Sequence, residues 1–209
     1  MAHSGDDVCF SLNIAAEIAV EPLGPNDNVI EYKISVCSHD EEAESPKPVG
    51  FFNVWRFNIG DEEGSIYEMF DAHHAESHEL YGHLFDRKTD RWKEELDAEL
   101  PAGSDLIHFQ WAEFPPELRR SRVVLAAAER IIQILGGGCC FATLWPWDKP
   151  HPDLEDYTAD ELLAYWDSQK KNQEFWAKIS FTRLEGAPVF IRDLARISPS
   201  IQEIMAGDG

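Results

Sequence analysis

Basic residues are scarce in this chain. Lys and Arg together number 18 against 39 Asp and Glu, a formal net charge of −21 over 209 residues. Phosphate backbones need a basic surface, so nucleic acid is not an expected partner. The excess acid leaves three roles: solubility, attraction of cationic amine-bearing molecules, or imitation of nucleic acid. Long hydrophobic runs are also missing. No stretch approaches the roughly eighteen apolar residues of a membrane span, so no membrane partner is expected. The opening "MAHSGDDVCFSLN" has no basic start followed by an apolar stretch, so a secretory leader is not expected there. Cysteine is sparse and unpatterned: Cys9, Cys37, Cys139 and Cys140 form no CxxC or zinc spacing. Buried, reduced thiols in a cytoplasmic protein are the expectation. Serine nucleophile elbows, P-loops and dinucleotide glycine fingerprints are absent as well.

What is present is an ordered alternation of periods. The chain is 44% hydrophobic and long enough to bury a sizeable core. Residues 8–21 read as strand. In residues 28–37, Ile30, Tyr32, Ile34 and Val36 alternate against Val29, Glu31, Lys33 and Ser35, the pattern of a half-buried strand. Residues 49–60 make a third strand. The period then becomes helical over residues 65–85, with Ser65 as a cap, and a shorter helix is expected over 89–100. A strand follows at 106–114 and a long helix at 117–135, which the glycines at 136–138 end. Residues 139–147 form an apolar strand. Thr158 and Glu161 have capping-box spacing and open a helix running to about Ile179. Two strands joined at Gly186 and Ala187 close the chain. The prediction is one α/β (α+β) domain over residues 1–209: antiparallel N-terminal strands, then β-α-β-α-β-β, with helices on both faces of a mixed central sheet.

The stretch "PPELRRSRVVLAAAERIIQIL", residues 115–135, carries the most chemistry. Arg119, Arg120 and Arg122 stand at the mouth of a helix that follows a strand. Such a helix end offers unpaired N–H groups and partial positive charge, and arginine adds bidentate donors, so a phosphate cradle is one reading. The other is plain ion pairing with Glu113, Glu117 and Glu129.

"FPPELRRSRVV" resembles the strand-to-helix turn of the GCN5-related N-acetyltransferase (GNAT) family. That turn runs Val-x-Pro-x-x-Arg-Gly-x-Gly-x-Gly. Phe114 and Pro116 match the strand end and its proline, and Arg119 matches the arginine. Arg122 and Val124 stand where the two glycines of the helix mouth are expected. Downstream, "FWAKISFTRLEGAPVFIRDL", residues 175–194, is similar to the family's Tyr-x-Lys-x-Gly-Phe pattern before the last two strands. Lys178 and Phe181 fit, Ser180 replaces the glycine, and Trp176 stands where the tyrosine acid is usual. An indole does not ionise usefully, so it is no such acid. The likeness spans roughly residues 106–195. It is looser over residues 8–100, where the two helices follow the third strand rather than the first.

The resemblance implies a GNAT-like fold that binds acetyl-CoA or another acyl-CoA. Phe114, Arg119, Arg120, Ser121, Arg122, Val123 and Val124 would form the pyrophosphate turn. It implies acyl transfer to the amine of a cationic small molecule or protein, with Glu113 as the candidate base acting through water. His108 is a second base candidate, and strand alternation sets it on the opposite face from Glu113. Trp145 and Trp147 are candidates to line a pantetheine groove, or else core residues. A homodimer is allowed. The degraded turn also motivates a non-catalytic binding protein of the same fold, and the acidity an acidic nucleic-acid mimic. Finally, Asp71, His74 and His78 share a helix face at metal-ligand spacing, although HExxH is absent. A polar helix face or a pocket wall is the alternative, with His73 as a half-buried packing residue.

Overall fold

The structure is a computed structural model, and its description covers residues 9–18, 24–39, 45–61, 65–97, 103–145 and 158–207. Seven strands form one mixed sheet: β1 (Cys9–Glu17), β2 (Val29–His39), β3 (Lys47–Phe57), β6 (Asp105–Glu113), β7 (Cys139–Leu144), β8 (Thr182–Arg183) and β9 (Phe190–Asp193). Their spatial order is β1-β2-β3-β6-β7-β9-β8. Neighbours are antiparallel except β6 and β7, which run parallel. Antiparallel strands close through short turns, but a parallel pair needs a crossover, and α4 (Arg122–Leu135) supplies it.

Strand alternation builds two cores. Phe52, Val54, Ile107 and Phe109 turn toward α4, the end of α5 (Ala159–Ala177) and α6 (Ile201–Ala206). Trp55, Phe57 and Leu106 turn the other way, toward α1 (Ile66–His73) and α2 (Ala75–Leu84). Helices therefore cover both faces, as the sequence pattern predicts.

Besides the start of α4, at Arg122 rather than residue 117, three elements depart from the sequence reading. The helix expected over 65–85 is two helices, because His74 is extended (φ −163, ψ 152) and caps α2: its Nδ1 accepts from Glu76 N, and its own backbone N–H donates to Ser77 Oγ. Ser77 Oγ also donates to Phe70 O, which seals the break. In place of a helix over 89–100, a two-strand hairpin pairs β4 (Phe85–Asp86) with β5 (Arg91–Trp92), followed by the short α3 (Glu94–Asp97). Asp86 accepts from the N–H groups of Lys88 and Thr89, and Asp90 adopts φ 54, so local turn chemistry overrides the helical pattern. Lastly, α6 forms near the chain end with its own Ser200–Glu203 capping box.

Between α4 and the sheet lies a buried ion pair. Arg192 on β9 donates to Glu129 on α4 through both terminal nitrogens, and Ser198 Oγ adds a bond of 3.1 Å. Both side chains are about 5% exposed or less. Removing one partner strands the other charge in the core. Glu129→Leu is expected to lower unfolding free energy by about 3–5 kcal/mol in urea titration, and adding Arg192→Leu to recover most of that loss.

Ser180 stands in the left-handed region at φ 67. Only glycine takes that conformation without a steric penalty. Ser180→Gly is expected to stabilise the fold by about 1 kcal/mol, read from the same titration.

Candidate functional site at the carboxyl end of the parallel pair

In open sheets, ligands bind beyond the carboxyl ends of parallel strands, where the connections diverge. Here β6 and β7 pair from Asp105↔Cys139 to Phe109↔Leu144. β7 then ends, while β6 continues through Glu113, paired with β3 as far as Phe51. The strands thus part company at Gln110. The N-terminus of α4 opens at the same end, after a turn in which Pro115 O accepts from Leu118 N and Arg119 N.

The arginines at this turn do not converge. Arg119 donates from Nε to Phe114 O at 3.1 Å. Arg120 reaches α5, donating to Asn172 Oδ1 and Ser168 Oγ at 3.0 Å each. Arg122 turns to α6 and donates to the carbonyls of Met205, Ala206 and Gly207. Gly207 sits at φ 38 directly on that guanidinium, where a Cβ would collide with it. Glu129, an expected partner, is instead spent on Arg192. Backbone carbonyls hold Arg119 and Arg122, and of the three arginines only Arg119 keeps both terminal guanidinium nitrogens uncommitted among the described residues.

The mouth of α4 lacks a side-chain cap among the described residues. Ser121 stands at the N-cap but makes no capping bond, and its Oγ is buried without a hydrogen-bond partner. By contrast, α1, α2, α5 and α6 each have a side-chain cap. Val124 is wholly buried in the core, while Val123 is half-buried. Phe114 is also a core residue, packed edge-on to Phe52 at 5.1 Å.

Beside the parting strands, on the α1–α2 face, is a wall of neutral polar groups. His108 is fully buried and hydrogen-bonded through Nδ1 to Thr143 Oγ1 at 2.9 Å. Its ring lies 5.6 Å from Trp55 and 6.2 Å from Trp145. His108 Nε2, Trp55 Nε1 and Trp145 Nε1 are buried without hydrogen-bond partners. Burial drives the His108 pKa down to about 3, and burial also lowers those of His73 and His83. Next along β6, Gln110 donates to Glu76 Oε2 at 2.9 Å and accepts from Asn53 Nδ2 at 2.7 Å. Burial raises the Glu76 pKa, against the opposing bond from Gln110. Glu113 lies exposed at the strand tip. Glu76 and Gln110 escape a sequence reading because Glu76 looks like mid-helix surface until His74 breaks that helix. The i, i+2 relation of Gln110 to His108 is the signal for the wall.

The remaining candidates fall elsewhere. Trp176 is buried between Phe175 and Phe181. Trp147 lies outside the described residues. His78 pairs with Asp71 at 2.8 Å, but His74 Nδ1 accepts from Glu76 N, so that trio does not converge. No metal-holding cluster occurs among the described residues. His73 packs edge-on to Trp55 at 4.6 Å, as expected of a packing residue. Cys37, Cys139 and Cys140 are buried free thiols, whereas Cys9 is exposed. No described helix is long and apolar enough to cross a membrane. Compared with protein-family models, curated proteins and solved structures, the chain matches none.

His108 gives the fold an acid-side dependence. Its folded pKa of about 3 lies below the unfolded value near 6.5, so between them the unfolded chain binds the extra proton. Stability contributed by the neutral ring is present above pH 6.5 and falls as pH drops toward 3. The expected slope is about 1.4 kcal/mol per pH unit in that window. His108→Gln should remove that component, measured as the difference in unfolding free energy between pH 7 and pH 5.

Proposed function

We propose that the chain is an acyl-CoA-dependent N-acyltransferase of GNAT-like fold, with acetyl-CoA as the donor. The observation that carries this reading is the parting of β6 from β7 where the uncapped N-terminus of α4 opens. A crevice between such strands accommodates an extended thioester arm, and orphan N–H groups at a helix end suit its pyrophosphate. Arg119 adds the cation. The left-handed backbone of Ser180, in the position where the family has glycine, gives separate support for the resemblance.

In this reading the acceptor amine approaches from the α1–α2 side. Its nitrogen, after the ammonium has lost one proton to water, attacks the thioester carbonyl carbon, the C–S bond breaks, and the second amine proton passes to a carboxylate as CoA leaves as the thiolate. Glu76 takes that proton ahead of Glu113, because partial burial moves its pKa toward the working range of a base. The negative surface favours a cationic amine. A cytoplasmic location belongs to the same reading. It is consistent with the thiols of Cys139 and Cys140, which burial pushes up to about 11 and about 12 and so keeps unreactive.

A second reading, a binding protein of the same fold without catalysis, is favoured by the burial of Trp176 at the position of the usual acid. Calorimetry with acetyl-CoA separates the readings. Micromolar binding that weakens about tenfold or more in Arg119→Ala is expected, since a charge-assisted phosphate contact is lost. With a panel of diamines, Glu76→Gln should lower turnover about 100-fold at unchanged CoA affinity, and Glu113→Gln should have a smaller effect. Binding without turnover of any amine selects the second reading. No binding at millimolar acetyl-CoA rejects both as CoA proteins.

A further inference from the structure

The two edges of the sheet are unlike. At one end β8 is only Thr182–Arg183, short and charged, which blunts it against pairing. At the other end β1 is a nine-residue strand, CFSLNIAAE, with no charged residue from Cys9 to Ala16 and no proline. Its inner edge pairs with β2, and among the described residues nothing pairs with its outer edge. In a chain of net charge −21, the eight uncharged residues from Cys9 to Ala16 lack the charge and proline that ordinarily guard an edge.

A groove runs beside the same edge. It encloses about 600 Å3 between Phe10 and Leu12 of β1, Val123 and Ile134 of α4, and Ile201 and Met205 of α6. The helical layer stops short of the sheet edge here. Phe10 is 36% exposed, Met205 39% and Ile134 48%.

We propose that β1 and this groove form the contact face of a two-fold homodimer. Antiparallel pairing of β1 with β1 of a second copy continues the sheet, with the axis perpendicular to it. Both α4–α6 layers then lie on one face, and the two grooves adjoin across the axis. Phe10, Leu12 and Ile14 share a face of β1, so the same apolar face is presented from each side. Charge selects the occupant. Two copies repel wherever acids face one another within a Debye length of about 8–10 Å, and β1 carries no acid from Cys9 to Ala16. An unrelated partner would need its own uncharged edge, which a second copy brings by symmetry.

Size decides how much must take part. A nine-residue strand is ~30 Å long, and at the ~5 Å spacing of strands its backbone alone covers ~150 Å2. A stable interface needs ~800 Å2 per partner. The groove and its helical flank must therefore be buried with the strand, which makes Ile134 and Met205 part of the contact. The inference does not depend on acyl transfer.

Sedimentation equilibrium of the full chain, from micromolar to about 100 µM, tests it. The expected mass is twice 23.8 kDa. The pair Asn13→Glu and Ala15→Glu sets like charges across the axis, and separately Ile134→Glu charges the flank. Each should raise the dimer dissociation constant about tenfold or more, with circular dichroism and melting cooperativity retained. A monomeric wild type at the highest concentration overturns the proposal, as does a dimer that ignores both sets of changes. A monomer whose β1 amides nevertheless resist hydrogen exchange overturns it too, in favour of cover by another segment or a different protein.

Discussion

The Glu129–Arg192 ion pair fixes α4 against the sheet, and the candidate site depends on where α4 begins. Two further contacts fix its ends. Arg56 on β3 donates to the carbonyls of Leu135 and Gly137 while pairing with Asp105 at 3.0 Å, which holds the helix C-terminus to the start of β6. At the other end, Arg120 ties to α5 and Arg122 to α6. The last carbonyls of a helix carry partial negative charge, so a guanidinium settles there even in a chain rich in carboxylates. That is why ion pairing, the plain alternative for the arginine cluster, is not what most of these residues do. Arg120 and Arg122 serve two different helices while Arg119 bonds back within its own turn, so the helix mouth they frame is held from several directions.

Strand alternation made the sheet legible. Ile34 and Val36 face the core as their period requires, and the N-caps at Ser65 and Thr158 form where their side chains predict. The helix across 65–85 was legible as apolar spacing but not as two pieces, because the break comes from His74 and Ser77 bonding each other and the backbone. Such local competition leaves the hydrophobic period intact and so is invisible to it. The hairpin at Phe85–Trp92 hides for the same reason, in the side chain of Asp86. At the site, Arg119 and the helix mouth could be read from spacing. Glu76 could not, since it meets Gln110 only after α2 swings to β6.

The distribution of charge joins fold to chemistry. Acid is concentrated outside, while the wall beside β6 is neutral: burial holds His73, His83 and His108 below their ordinary pKa, and the indoles offer only N–H groups. Under the proposed acyl transfer, a cation drawn by the surface would meet, at the wall, the half-buried carboxylate of Glu76, whose affinity for protons is raised. Long-range attraction and local proton uptake are thus separate devices. The first is screened by salt, and the second is not, because it rests on burial.

Arg122 and Val124 also change meaning once their side chains are traced. Glycine at a phosphate-binding helix mouth matters because nothing stands between the ligand and the backbone N–H. A side chain obstructs only if it lies over that N–H. Val124 is turned wholly into the core, and Arg122 is drawn off to the end of α6 by three carbonyls. Neither residue therefore has to forfeit what glycine provides. The requirement moves to α6 instead: Gly207, at φ 38 against the guanidinium, is what lets the arginine leave the mouth of α4. A glycine absent from the turn is matched by Gly207, the C-cap of α6, whose carbonyl helps to draw the Arg122 guanidinium to the end of that helix.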